Sequence, residues 1–309
     1  MADNQRNGLV LFSFRKHPKR YYEKLFGRLS ERAPGYGLNL YKGALKDMRV
    51  YIGSEDFRVQ ESSNDMDVAD FDVVYFELWS KCPQQALATS TYLDLCHVPY
   101  LGPNVRRIQP DTKLGELSLL KKAGLPIPET VSSSHKQLRK WFRGSEPVAF
   151  PVVAKNISGY GGKINFKAHS REELFQVLDE NPEVTFVVQA YIPSDRDYRF
   201  LVMDGEVQLV LERQGNDDTH LNNTSRGAQA HLVDPGAFSQ KVVDMVLNGA
   251  AAVGRREFAG VDLMFDMHTG QPYVLEVNKT PEIEIGSHSE DKMSALLSCL
   301  DRLSRKENA

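Results

Sequence analysis

"FAGVDLMFDMHTGQPYVLEVN", residues 258–278, reads as two strands joined by a loop near His268–Gln271. Tyr273, Val274, Leu275 and Val277 are residues that a pleated, packed surface favours. Glu276 interrupts that apolar run, and Asn278 follows two residues later. Burying an unpaired carboxylate is costly, so Glu276 needs a counterpart. Side chains alternate along a strand, which puts Glu276 and Asn278 on one face. If Asp266 pairs with Pro272, Asp262 lies opposite Glu276, and directly opposed residues share a face. Asp262, Glu276 and Asn278 then converge, and a one-residue slip of either strand would separate them. Two carboxylates and an amide without His or Cys suit a hard cation such as Mg²⁺. Mg²⁺ is commonly held by a few carboxylates together with substrate phosphates, so the hairpin predicts a phosphate-bearing partner. The plain alternative is a solvent-facing strand with scattered polar residues.

Upstream lies a segment that suits either phosphate binding or a glycine-rich hairpin with solvated lysines. "VAFPVVAK" (148–155) reads as a strand running into "NISGYGGKI" (156–164). Glycines let backbone amides approach a ligand closely, and successive N–H groups form an anion-binding concavity. Lys155 ends the strand as a point charge suited to a phosphate oxygen. The segment is neither a Walker loop nor a dinucleotide fingerprint. "EVTFVVQAYI" (183–192) is another strand, whose end suits an adenine edge. Arg213, Asn222, Asn223 and Arg226 punctuate the irregular stretch 211–230. Arginines there suit phosphate or carboxylate clamping through their planar forks, or else a solvated loop.

The surrounding pattern predicts mixed architecture. Segments 8–14, 48–53 and 71–78 read as strands, and 19–31 and 84–97 as helices. That alternation suggests βαβ units and a mostly parallel sheet. "VPYLGPN" (98–104) closes a first domain, 1–104. Downstream come a helix within 109–128, capped by Asp111 and stopped by Gly124 and Pro126, a capping box at Ser170 and Glu173, and a hairpin over 197–213 turning at Asp204-Gly205. Helices follow over 239–256 and 289–305.

Composition is that of an ordinary globular chain: 309 residues, 41% hydrophobic, 26% charged. A net charge of -3 argues against a sequence-wide nucleic-acid surface. Cys82, Cys96 and Cys299 are widely spaced, which argues against a disulfide framework and for a reducing compartment. The start "MADNQRNG" lacks a signal-peptide core, and no apolar run is long enough to span a bilayer. The expectation is a soluble cytoplasmic protein with no nucleic-acid or membrane partner. The basic stretch 15–24 either attracts an acidic substrate or is a solvated helix start.

The order of these motifs resembles the ATP-grasp superfamily, and within it the RimK-like carboxylate–amine ligases, over about residues 98–300. The resemblance implies an amino-terminal α/β (pre-ATP-grasp) domain, then an ATP-grasp domain over 105–309. The latter would have a central lobe at about 125–190 and a carboxy-terminal lobe at 191–309. It implies that Lys113 and Lys155 contact ATP phosphates, and that 158–163, with Ser158, Gly159, Gly161 and Gly162, form a lid. Gln189, Tyr191 and Ile192 would line the adenine pocket, with Asp197 and Arg199 near ribose and acceptor. Arg213 and Arg226 would stabilise the transferring phosphoryl group, with Arg199 beside them as a catalytic residue. Asp262, Glu276, Asn278 and Asn223 would surround two Mg²⁺ ions, or Mn²⁺ in their place. The implied reaction joins a carboxylate to an amine through an acyl phosphate, adding an amino acid such as glutamate to a peptide or protein. The family also implies a homo-oligomer. The rival expectations are an ATP-grasp phosphotransferase acting on a hydroxyl and a nucleotide-binding regulatory protein without turnover.

Overall fold

The structure, a computed structural model, describes all residues except 1–5, 16–19, 55, 64, 103–104, 106–107, 109–110, 159–163, 215–228, 280, 282, 284–285 and 307–309. It divides into two compact units. One comprises 1–122, 129–158 and 168–190; the other comprises 123–128, 159–167 and 191–309.

The first unit opens with strand β1 (Arg6–Phe12), helix α1 (Arg20–Arg32) and β2 (Leu38–Ala44). Then follow β3 (Arg49–Ile52), β4 (Phe57–Glu61), β5 (Met66–Asp67), β6 (Val73–Phe76), α2 (Pro83–Leu95) and β7 (Tyr100–Leu101). Strands β2-β1-β6-β7 make a four-stranded sheet whose pairings are all parallel. Leu9 to Phe12 are buried, as expected of a strand covered on both faces. The segment 48–53 is a strand but does not join that sheet. It turns back at once, with the Gly53 amide donating to the Asp56 carbonyl at 2.7 Å, so β3 pairs antiparallel with β4. A tight return permits only antiparallel pairing, because a parallel partner needs a long crossover.

The hairpin β3–β4 extends a second sheet. Its order is β10-β9-β11-β8-β3-β4-β5, with β8 (Thr130–Ser132), β9 (Val152–Asn156), β10 (Asn165–Ala168) and β11 (Phe186–Ala190). Helices α3 (Lys113–Lys122), α4 (His135–Gly144) and α5 (Arg171–Glu180) accompany these strands. The cap of α5 is half the expected box. The Ser170 hydroxyl accepts from the Glu173 amide, but the Glu173 carboxylate reaches back to the His169 amide, one residue earlier.

The second unit is built on an antiparallel sheet ordered β14-β13-β12-β15-β16. Its strands are β12 (Arg196–Met203), β13 (Glu206–Gln214), β14 (Gln229–Val233), β15 (Phe258–Phe265) and β16 (Pro272–Asn278). Helices α6 (Gln240–Ala252) and α7 (Ser289–Lys306) complete it. The β12–β13 turn falls at Asp204-Gly205, both with positive φ (49° and 74°), the geometry that a two-residue hairpin turn demands. Each of the two hairpins carries one bulge: Gln208 is skipped between Leu201 and Val202 pairings, and Leu275 between Asp262 and Leu263 pairings.

The bulge corrects the expected register of the second hairpin. Phe265, not Asp266, faces Pro272. Asp266 leaves the ladder because its carboxylate accepts from the His268 and Thr269 amides of the loop. Skipping Leu275 then restores the pairing of Asp262 with Glu276.

Candidate functional site

One face of the second unit's sheet has two halves. Leu201, Met203, Leu209 and Leu211 pack with Cys299 of α7 and with Phe258, Ile283 and Leu296 into an apolar core. Beyond them the same face turns polar. Asp197 pairs with Arg213 across β12–β13, Arg199 with Asp262 across β12–β15, and Asp262 with Glu276 across β15–β16. Gly260 pairs with Asn278. The alternation of each strand therefore gathers six charged or polar side chains from four adjacent strands onto one surface.

Four of them form a chain of alternating charge. Arg213 Nε donates to Asp197 Oδ1 at 2.6 Å, and Arg213 Nη2 lies 3.1 Å from Asp262 Oδ2. Arg199 grips Asp262 with both prongs, Nε to Oδ1 and Nη2 to Oδ2, each at 2.7 Å. Such forks are the strong form of the charge-assisted hydrogen bond. The Asn278 amide nitrogen adds a contact to Asp262 Oδ2 at 3.4 Å. Burial by itself would raise the Asp262 carboxyl; Arg199 and then Arg213 outweigh it and hold it at about 2. Asp197 goes the other way. Burial pushes it up to about 6 against the pull of Arg213, with the Asp262 charge adding to the rise. Glu276 lies close enough to add to the charge that raises Arg199.

The donor set fits Mg²⁺. Asp262, Glu276 and Asn278 offer oxygen, and among the described residues no group of three or more His, Cys, Asp and Glu forms a richer site. Two carboxylates and an amide leave positions for phosphate oxygens and water, which is the habit of Mg²⁺. Asp262 already balances two guanidiniums, Arg199 through both prongs and Arg213 at 3.1 Å. Asn223 and Arg226, expected beside these groups, lie outside the described residues.

The first unit holds the expected phosphate lysines. Lys155 stands in β9 opposite Val187, and Lys113 opens α3. The Lys113 amide donates to the Ile157 carbonyl at 3.1 Å, which ties the start of α3 to the end of β9. The Ser158 amide donates to Asn156 Oδ1 at 3.0 Å, closing a small turn as the chain leaves that strand. Gly159, Gly161 and Gly162 lie outside the described residues. Gln189 is buried in β11, and its amide nitrogen donates to the Thr130 hydroxyl at 2.9 Å. Tyr191 and Ile192 follow in the second unit, where Lys167 Nζ sits 3.6 Å from the centre of the Tyr191 ring.

Two further residues serve the polar face. A Cβ on Gly260 would lie 3.2 Å from Pro281 Cβ and 3.6 Å from Arg199 Cδ, so glycine leaves the room in which Arg199 extends. An isolated glycine inside a strand is the sequence signal for such an approach. Arg255 donates to the Val277 carbonyl and so fixes the backbone between Glu276 and Asn278. No sequence pattern marks Arg255.

The model of one protein family, described as the RimK-like ATP-grasp domain, matches residues 110–295. The alpha-aminoadipate–LysW ligase LysX of Sulfurisphaera tokodaii is 27% identical over 223 residues, covering 70% of this chain and 74% of that protein. A probable alpha-L-glutamate ligase of an Enterobacter species is also 27% identical over 223 residues, with 69% and 70% covered. The D-alanine–D-alanine ligase of Bacillus anthracis superposes with a TM-score of 0.51 at 16% identity, over 98% of this chain and 99% of that one. This last likeness is one of fold.

Proposed function

We propose that this chain, which belongs to the RimK-like ATP-grasp family, is an ATP-dependent ligase that joins a carboxylate to an amine. The observation that carries the reading is the polar half-face, where Asp262, Glu276 and Asn278 meet beside the buried Arg213 and the half-buried Arg199. The sequence relatives named as ligases of aminoadipate and glutamate support an amino acid as one substrate and a peptide or protein as the other. Lys113 and Lys155 are assigned to ATP phosphates, and Gln189, Tyr191 and Ile192 to the adenine. Asp262, Glu276 and Asn278 would hold Mg²⁺, two ions being expected, and Mn²⁺ would replace it. Bound there, Mg²⁺ would offset the negative charge of the phosphates.

The substrate carboxylate attacks the γ-phosphorus and displaces ADP, giving an acyl phosphate. The amine then attacks the acyl carbon, loses a proton, and inorganic phosphate leaves. Arg199 and Arg213 are already locked in position by Asp262 and Asp197, so they meet developing charge without reorganising. Asp197 therefore acts by holding Arg213. A division at 104/105, a reducing cytoplasmic setting and a homo-oligomer belong to the same proposal. The family match starting at residue 110 and three cysteines free of disulfides support the first two.

An ¹⁸O-labelled carboxylate tests the chemistry. Amide, ADP and labelled inorganic phosphate in equal amounts are expected. AMP with pyrophosphate would overturn the acyl phosphate; a phosphoester with ADP would make the protein a phosphotransferase; bound ATP without products would make it a regulatory binder.

A further inference from the structure

The first unit carries a cavity of about 320 Å³ that the proposed ligase chemistry does not use. Its floor is the hairpin β3–β4, where Arg49 pairs with Gln60 and Tyr51 with Arg58, so all four side chains share one face. Trp141 of α4 and Glu146 form the wall and rim. This face is turned away from the nucleotide residues. Tyr51 pairs with Val131, Val131 with Val188, and Val188 with Ala154, which places those four together. Lys155 and Gln189 are the next residues along β9 and β11 and so belong to the opposite face of the sheet.

The cavity is built to present flat hydrogen-bond donors. The Arg49 guanidinium lies 5.8 Å from the Trp141 ring centre, and that of Arg58 lies 5.3 Å from Tyr51. Stacking of this kind fixes the guanidinium planes and aims their N–H edges sideways. The Arg49 side chain is only 12% exposed, its Nη2 is taken by Asp65, and its Nε is buried with no hydrogen-bond partner. A buried donor left unmade is expensive, so this one calls for an acceptor. Arg58 is half exposed, with Nε on Asp56, which leaves its fork open to a second acceptor.

The balance of charge narrows the class. Arg49, Arg58 and Arg171 face Asp65, Asp56 and Glu146, so the surroundings are neutral before any ligand enters. A polyanion would gain little there, whereas one carboxylate could sit against the guanidiniums of Arg49 and Arg58, both of which line the cavity. The rings of Trp141 and Tyr51 then favour a flat apolar body on that carboxylate. We propose that this cavity binds a small monocarboxylate with a planar apolar body, on the sheet face opposite Lys155 and Gln189.

The chain has two tryptophans, Trp79 and Trp141, so Trp79→Phe leaves Trp141 as the only indole reporter. The full-length Trp79→Phe protein is titrated with benzoate, benzamide and inorganic phosphate, each with and without a saturating non-hydrolysable ATP analogue. Benzoate should shift the fluorescence saturably, with a Kd on the order of 1 mM for so few atoms. Benzamide and phosphate should bind at least about tenfold more weakly, the value of one charge-assisted contact. The nucleotide should leave the benzoate curve unchanged. Arg49→Met should weaken benzoate about tenfold or more; Arg58→Gln, at an exposed position that cannot threaten the fold, should do the same. Absence of a saturable benzoate shift would overturn the proposal. So would benzamide or phosphate matching benzoate, displacement by the nucleotide, or unchanged affinity in the Arg58→Gln protein.

Discussion

Replacing Arg199 by Met should destabilise the second unit by about 2 kcal/mol, and the loss should shrink in acid. Two routes lead to that magnitude. Arg199 makes both members of a carboxylate fork at 2.7 Å, and hydrogen bonds to charged groups contribute about 1.5–3 kcal/mol. Independently, Asp262 is lowered from 3.8 to about 2, a difference of roughly 2 kcal/mol at about 1.36 kcal/mol per unit. Arg199 is the larger of the two arginine contributions to it, and Arg213 at 3.1 Å remains in the variant. A depressed carboxyl contributes stability that is fully present above its unfolded value. That contribution is lost as the pH falls from 3.8 toward about 2. The variant lacks most of it, so the two proteins should differ most near neutrality, with the gap narrowed by roughly half at pH 3 and closing only near pH 2. Urea unfolding followed by circular dichroism at pH 7, 5 and 3 measures this directly. A loss under about 0.5 kcal/mol at pH 7, or a gap that stays constant down to pH 3, would refute the reasoning, because either means the fork is solvated rather than buried.

Three further outcomes follow from the same face and its neighbours. Glu276→Gln should keep the fold and cut turnover by about 100-fold or more, since it removes the negative charge that stands opposite Asp262; steady-state kinetics in Mg²⁺ checks this, and wild-type rates would remove Glu276 from the site. Lys155→Ala should weaken ATP about tenfold or more by calorimetry while leaving the melting temperature nearly unchanged; unaltered affinity would contradict its phosphate role. Gly260→Val should lower stability by about 1–3 kcal/mol and slow turnover, because its Cβ already meets Pro281 at 3.2 Å and Arg199 at 3.6 Å; a melting curve and rate like the parent's would show that Arg199 has room to spare.

Much of the second unit was legible because its signals are local. Alternation and the Asp204-Gly205 turn mark β12–β13, and the polar interruption at Glu276 marks the side chains that gather on Asp262. Other elements carry no local signal. Strand β8 has three residues, and the Thr130 and Ser132 hydroxyls contact Gln189 and Phe186, far along the chain. The sheet that β3 joins depends on a tight return to β4 and on β8, some eighty residues later. Arg213 was read from the sequence as a candidate site residue but not as the partner of Asp197. A regular ladder counted from the Asp204-Gly205 turn sets Glu212 against Asp197, and only the irregularity at Gln208 replaces it with Arg213. Irregularities of this type arise from packing and twist, and their sequence signature is weak.

The skipped residues Gln208 and Leu275 separate the phase of each turn from the phase of the reactive surface. Each sits on the returning strand, between the loop and the charged side chains. Removing Leu275 would leave a continuous ladder in which Val274 still meets Leu263 and Glu276 still meets Asp262. Removing Gln208 would likewise keep Arg213 against Asp197. Rebuilding either hairpin as an ideal ladder at full length would do the reverse. It would rotate Glu276 or Arg213 through the sheet onto the side where Tyr198 and Phe200 pack against Phe238. In this unit a deletion that looks drastic is predicted to be silent in pairing, and a regularisation that looks harmless would dismantle the charged surface.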